Sequence, residues 1–187
     1  AVTGSIIFNF TTNGNGELLR ERVKGAVQDP AELAMMLFVI FSLASLAQLV
    51  VGKLIDRYPL KNIYLPIVLL QVPLFLIASQ VTDWALFATA ICFMLLVFGA
   101  IPFTDAMIVR YIDDRMRSRV TGVRLAIGFG ISSVVVALIG PAVKDAGFPI
   151  LLMLLAAVAF SSFLALCLLP SEQDVHKASS ASLKPAE

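Results

Sequence analysis

The chain has 187 residues, of which 59% are hydrophobic and 14% are charged, and its formal net charge is +1. Its mean hydropathy of +0.91 excludes an ordinary soluble protein and indicates an all-α integral membrane protein with no nucleic-acid partner. Several apolar runs are long enough to cross the ~30 Å hydrocarbon core as helices. They are residues 31–55, 63–81, 84–109, 120–143 and 147–169.

The first apolar run, from Ala1 to Phe10, is too short to span a bilayer. It also lacks the basic start and the cleavage site of a signal peptide. We interpret residues 1–16 as the second half of a membrane helix, so the chain is expected to be the C-terminal part of a longer protein.

A polar, glycine-rich stretch follows this run, from Asn9 to Glu17. Backbone of this kind is tolerated at membrane depth only where it faces protein or water. Two interpretations are open. Either the helix ends near Asn9 and an exterior loop follows, or Asn9, Thr12 and Asn13 line a polar pathway.

Small and polar side chains stand four residues apart in the span 31–55, at Ala44, Gln48 and Gly52. This spacing places them on one helix face and favours packing against another helix. We also consider Gln48 a candidate for the polar pathway.

The link between the first two spans, residues 52–61, carries one carboxylate and three cations. Charges are expensive inside a membrane, so the link is predicted to be a tight turn at the bilayer surface. Its charges are expected to have a structural or gating role.

An acidic residue, Asp105, lies near the end of the span 84–109. An acid within a membrane span is by default a candidate for the solute pathway. The alternative, which the sequence favours, is a local interfacial pair with Arg110, whose long side chain reaches toward the headgroups.

Three small residues, Gly122, Ala126 and Gly130, form a stripe along the span 120–143. Such a stripe lets a neighbouring helix backbone approach closely. The simpler interpretation is close helix packing, and the functional one is that a smooth stripe lets two helices slide or rock.

Basic residues are unevenly distributed over the links, and this asymmetry predicts orientation. The side richer in basic residues is expected to be cytoplasmic, and it includes a polar tail, residues 171–187, which we predict to be disordered. That side holds Lys53, Arg57, Lys61, Arg110, Arg115, Arg117, Arg119, Arg124, Lys177 and Lys184. The other side holds Arg20, Arg22, Lys24 and Lys144.

Residues suited to metal binding or catalysis are scarce. Cys92 and Cys167 lie in apolar spans, and His176, the single histidine, lies in the polar tail. We therefore predict no metal site and no cofactor. Rhomboid-like hydrolysis requires a membrane serine in a Gly-x-Ser-x setting together with a histidine, and metalloproteases require paired histidines. Neither combination occurs within the predicted spans, so we do not expect an enzyme.

The link 52–61 resembles the signature of the major facilitator superfamily, Gly-x-x-x-Asp-Arg-x-Gly-(Arg/Lys)-(Arg/Lys), which recurs after the second and the eighth helices of those transporters. The matching residues are Gly52, Asp56, Arg57 and Lys61. Pro59 and Leu60 depart from the pattern, as in the loosened form that second halves commonly show.

The basic link 113–122 is similar to the turn that these transporters carry before the eleventh helix. The order of links also fits helices seven to twelve. The resemblance therefore implies that residues 1–170 are the C-terminal six-helix half of a helical bundle, with about five and a half membrane helices. The implied partners are the lipid bilayer, a missing N-terminal six-helix half, a small-molecule substrate and protons.

The resemblance also implies a cytoplasmic gate. In the family, the Asp and Arg of the signature hold this gate through charge pairs and the positive end of a helix in the other half. Our hypothesis assigns to the gate Asp56, Arg57, Arg117 and Arg119. Gly52, Lys61 and Gly122 complete the two motifs.

The implied function is secondary active transport of a small solute by alternating access. Proton coupling is expected on the basis of the family resemblance alone. Gly140-Pro141 resembles a motif that drug-efflux members carry in helix five, which would lie in the missing half, and on this ground we lean toward efflux of small organic compounds. We expect an antiporter in a bacterial inner membrane. The alternative is a non-transporting membrane scaffold or sensor with the same fold.

Overall fold

The computed structural model describes residues 2–25, 27 and 29–168. This part of the chain is helical and contains no strand, which confirms the predicted all-α class. In chain order the helices are α1 (Val2–Arg22), α2 (Pro30–Ile55), α3 (Leu60–Gln80), α4 (Asp83–Gly99), α5 (Ile101–Tyr111) and α6 (Asp114–Cys167). The predicted disordered tail, residues 171–187, lies outside the described residues.

Four segments of the described chain are long and apolar enough to cross a membrane. They are Pro30–Ile55, Leu60–Gln80, Asp83–Arg110 and Asp114–Cys167. The first begins sharply, because the Asp29 side chain accepts a 2.9 Å hydrogen bond from the Ala31 amide and Pro30 needs no partner at this position.

Helix α6 folds back on itself at Gly147, where φ is 73° and ψ is 159°. This conformation is accessible essentially to glycine alone. Two tertiary contacts establish the reversal: Arg110, just before α6, bonds the end of α2, and Lys61, just after α2, bonds Cys167. Both ends of α6 therefore lie at the same end of the bundle. Its first arm contains the predicted span 120–143, and its second arm contains the predicted span 147–169 as far as Cys167.

Helix α1 extends to Arg22, so the interpretation that it ends near Asn9 is wrong. Its polar side chains bond carbonyls one turn back: Thr11 Oγ1 donates to Ile7 O at 2.8 Å, and Asn13 Nδ2 to Asn9 O at 2.8 Å. These internal bonds satisfy side-chain donors within the helix, so polar residues do not terminate it.

The predicted span 84–109 is divided at Ala100 into α4 and α5. Pro102 stands just inside the start of α5. Proline has no N–H to donate to the carbonyl four residues earlier, and its ring crowds that carbonyl, so a break before Pro102 is physically expected.

The largest buried cluster is mainly aliphatic and includes three phenylalanines. Phe75, Phe93 and Phe148 are fully buried, and the Phe75 and Phe93 ring centroids are 5.3 Å apart. These residues bring together α3, α4 and the second arm of α6. Lipid is as apolar as these side chains, so close packing rather than escape from water favours this association.

Basic side chains tie the helix ends together. Arg22 donates to Ser79 O near the end of α3 at 3.0 Å, Arg110 to Ile55 O at the end of α2 at 2.7 Å, and Lys61 to Cys167 O at the end of α6 at 3.2 Å. The last carbonyls of a helix lack intrahelical donors and carry partial negative charge, so cations are favoured there.

Candidate functional site

A cavity of about 290 Å³ lies between α1, the α4–α5 break and the first arm of α6, with one residue contributed by α3. Its lining is mostly apolar, with a few hydroxyl and amide groups and one guanidinium. The lining residues are Gly4, Ser5, Phe8, Asn9, Tyr64, Val97, Ala100, Ile101, Thr104, Met107, Arg124, Leu125, Gly128, Phe129 and Ser132.

The α6 wall of the cavity is one helical stripe, because Arg124, Gly128 and Ser132 stand four residues apart. Glycine at the centre of this stripe keeps the wall open toward α1. A Cβ added at Gly128 would lie 3.9 Å from Ser5 Oγ, so a larger side chain would extend into the cavity.

A hydrogen bond joins α1 and α6 at one end of the cavity. Ser132 Oγ donates to Asn9 Oδ1 at 2.5 Å, and Asn9 Nδ2 donates to Ser5 O at 2.9 Å. Both ends of the Asn9 amide are therefore used, which fixes its orientation and joins the two helices across the cavity wall.

The break between α4 and α5, within the membrane segment Asp83–Arg110, faces the cavity. Ala100 and Ile101 line it at the junction of α4 and α5, and Thr104 follows one turn later. Ala100 keeps helical dihedral angles and its N–H donates to Leu96 O at 3.0 Å, whereas Pro102 has no N–H to donate to Phe98 O. The break is therefore a proline bend, at which a carbonyl loses its usual helical donor. This is the kind of backbone that a binding cavity can use.

An ion pair stands at the other end of the cavity. Arg124 Nη1 contacts Asp105 Oδ1, which connects α6 with α5. The two side chains differ in exposure, since Arg124 is 24% exposed and Asp105 is 65% exposed. Arg124 lines the cavity, whereas Asp105 lies beside it.

Aromatic rings hold the cavity walls in place. Tyr64 stacks on the buried Phe103 with ring centroids 4.7 Å apart, and Phe8 packs against Phe98 at 5.5 Å. Tyr64 and Phe8 both line the cavity. Rings of this size supply large, rigid contact surfaces for an apolar solute.

Residues 8–186 match the sequence profile of the Major Facilitator Superfamily, which covers nearly the whole chain. The chain belongs to the Major Facilitator Superfamily. Its members are membrane transporters of small molecules and not enzymes, and this chain is accordingly part of a multi-pass membrane transport protein. A comparison with curated proteins gives no match. The family resemblance of Gly52, Asp56 and Arg57 is thereby confirmed.

Among the predicted pathway residues, Asn9 lines the cavity of this family member, and the others do not. Asn13 is exposed and bonds back to its own helix, while Thr12 Oγ1 is buried without a partner among the described residues. Gln48 is half-buried on α2, away from the cavity. Helix α1 turns successive residues to different faces, so a polar run does not share one surface.

The local pair predicted for Asp105 with Arg110 is wrong, because Asp105 pairs with Arg124. Residues five apart on a helix point to different faces, whereas the antiparallel packing of α5 and α6 brings residue 124 opposite residue 105. Arg110 instead donates to the carbonyl of Ile55.

The four predicted gate residues do not contact one another within the described part of the chain. Asp56, Arg57 and Arg119 are exposed, and Arg117 pairs with Asp114 at 2.8 Å. Asp56 is the C-cap of α2, where the helix dipole disfavours a carboxylate. Its stabilising partner, if the gate forms, must come from outside this helix.

The small-residue stripe is not a helix contact among the described residues. A Cβ added at Gly122 or Gly130 would meet open space within 4 Å, and Ala126 is exposed. This face of α6 belongs to the outer surface of the helical bundle as described. The close packing predicted for it is therefore not present among residues 2–25, 27 and 29–168.

Sequence reasoning missed Arg124 and Ser132 as cavity residues. A signal for Arg124 was available, because an arginine within a predicted membrane span, here 120–143, is a candidate for function by default. From the sequence, Arg124 was interpreted only as one of the basic residues that predict orientation. Ser132 carried no comparable signal, since serine is common in membrane helices and bonds its own backbone readily.

Proposed function

We propose that this chain forms the C-terminal half of a secondary active transporter in which the cavity between α1, α5 and α6 binds a small organic solute. The observation that supports this proposal is the placement of the cavity beside the break at Ala100. Apolar walls with a few convergent polar groups are typical of small-molecule sites. Interrupted helices at such sites are typical of alternating-access transporters.

The cavity is about 290 Å³, near the lower limit of sites for drug-sized ligands. In the proposed complete transporter, an N-terminal six-helix half faces this cavity and supplies the opposite wall. The two halves rock around the solute, so that it is exposed alternately on the two faces of the membrane.

The proposal extends to direction and orientation. We expect a proton-coupled antiporter that exports small organic compounds across a bacterial inner membrane, with residues 171–187 in the cytoplasm. Orientation is supported by basic residues at the bundle end that contains Lys61 and Arg110. Asp56, Arg57, Arg117 and Arg119 are proposed as the cytoplasmic gate, whose closure requires contacts from the N-terminal half.

The experiment is solute flux into proteoliposomes that contain the full-length transporter, with and without an imposed proton gradient. Gly128→Leu fills the centre of the cavity wall, and Gly130→Leu makes the same change at a position with open space around it. We expect gradient-dependent flux that Gly128→Leu abolishes and Gly130→Leu preserves. Flux that survives Gly128→Leu would contradict the assignment of the cavity, and flux without gradient dependence would contradict proton coupling.

A further inference from the structure

We propose that the solute is an organic anion with an apolar body, and that its carboxylate replaces Asp105 as the partner of Arg124. This inference rests on the proposed function, since it assigns a substrate class to the same cavity. It is carried by the Asp105–Arg124 ion pair at the cavity end and by the exposure of its two members.

Charge is the first argument. Among the described residues that line the cavity, Arg124 is the single charged side chain. It is about three-quarters buried on a membrane-spanning helix, where an unpaired cation is costly. The site therefore requires an anion at this point in every state, whether Asp105 or a group on the solute supplies it.

Hydrogen-bonding capacity is the second argument. A guanidinium has five N–H donors in a planar fork that matches a carboxylate with two parallel bonds. Within the described part of the chain, Asp105 accepts from one nitrogen, Nη1 of Arg124. Donors remain for a second acceptor, and the side chain that carries them lines the cavity. A carboxylated solute can approach before Asp105 leaves.

The position and exposure of Asp105 make the exchange feasible. Asp105 is 65% exposed, lies outside the lining of the cavity and stands five residues before Arg110, the end of its membrane segment. Its carboxylate therefore has a short path to water at the bundle end when it turns away from Arg124. No buried charge is left behind on either side. The exchange replaces one carboxylate by another, so the net charge near Arg124 is conserved.

The rest of the cavity fits the apolar body of such a solute. Arg124 and Ser132 are eight residues apart on α6, which places them ~12 Å from each other along the helix. Between them the wall is open at Gly128, and Phe8 and Phe129 supply aromatic surface. A flat two-ring aromatic acid has the matching shape, with its carboxylate at Arg124 and its ring edge toward Ser132.

The test is equilibrium binding of radiolabelled 2-naphthoate to the full-length transporter in lipid nanodiscs, compared with 2-naphthamide. The amide has the same shape without the charge. A charged hydrogen bond contributes enough for a preference of about tenfold or more for the acid. We expect Arg124→Gln to abolish this preference, Asp105→Asn to tighten naphthoate binding several-fold without affecting the amide, and exposed Arg115→Gln to change neither.

The outcomes separate this inference from the proposed function. Equal binding of acid and amide, both lost in Gly128→Leu, would overturn the anion assignment and leave the cavity as the solute site. Naphthoate binding that Asp105→Asn weakens would also overturn it, because Asp105 would then not be a competitor. Arg124→Lys serves as a second variant: it keeps the charge without the fork, and it should retain a reduced preference for the acid.

Discussion

The buried amide of Asn15 provides the sharpest test of the packing in α1. Asn15 is 1% exposed, and neither its Nδ2 nor its Oδ1 has a hydrogen-bond partner among the described residues. An unsatisfied buried polar group costs about 1–3 kcal/mol. Leucine has the same branched outline as asparagine and no polar atoms, so Asn15→Leu should raise the free energy of unfolding by about 1–3 kcal/mol.

Asn9→Leu is the matched control, because it makes the same change in the same helix at a bonded amide. It removes the bonds of Asn9 with Ser132 and Ser5, and it leaves the Ser132 hydroxyl without its acceptor. We expect this variant to lower the free energy of unfolding by about 1–2 kcal/mol. The two substitutions should therefore have opposite signs.

The assay is thermal unfolding in detergent, followed by circular dichroism at a fixed detergent concentration. For a chain of this size, 1 kcal/mol corresponds to about 2–4 °C in the midpoint. We expect the midpoint to rise for Asn15→Leu and to fall for Asn9→Leu. A fall of similar size in both variants would refute the reasoning, since it would mean that the Asn15 amide is as well bonded as that of Asn9.

Three further substitutions test the fold and the gate. Gly147→Ala should destabilise the protein by about 1–3 kcal/mol, because the φ of 73° at this position strains any residue with a Cβ. Gly130→Ala, in an open helical position, should be neutral or stabilising in the same unfolding assay, and equal effects of the two substitutions would contradict the turn at Gly147. Arg22→Gln should lower the free energy of unfolding by about 1 kcal/mol, because it removes the hydrogen bond to the end of α3. The exposed Arg20→Gln should have no measurable effect, and a larger loss of stability in Arg20→Gln than in Arg22→Gln would exclude this role of Arg22. Asp56→Asn should increase cytoplasmic accessibility of the cavity to a thiol reagent and alter flux in proteoliposomes; a variant indistinguishable from wild type would remove Asp56 from the gate.

The sequence was sufficient to predict the class of protein and its family. Apolar runs of about twenty residues are required to cross the hydrocarbon core, so they identify membrane helices without any knowledge of packing. The signature residues Gly52, Asp56 and Arg57 indicated the superfamily because they lie in one short link. Residues that are close along such a link are also close in space, so their pattern can be recognised without a structure.

The composition of the cavity was predictable only in part. Asn9 was a candidate because a polar residue in a membrane helix must find a partner, but the sequence did not indicate that Ser132 would be that partner. Thr12 and Asn13 were equally polar candidates, and the rotation of α1 directs them elsewhere. Which face of a helix meets its neighbours depends on the packing of the whole bundle.

The Asp105–Arg124 ion pair shows most clearly what the sequence could not predict. Sequence distance favoured Arg110 as the partner of Asp105, whereas the structure pairs Asp105 with Arg124 on another helix. The sequence by itself determined that this chain lies in lipid, that it is helical and which family it belongs to, because those properties follow from local hydropathy and short motifs. Only the tertiary structure decided where the cavity lies and which charge faces it, because both depend on the antiparallel packing of helices that are distant along the chain.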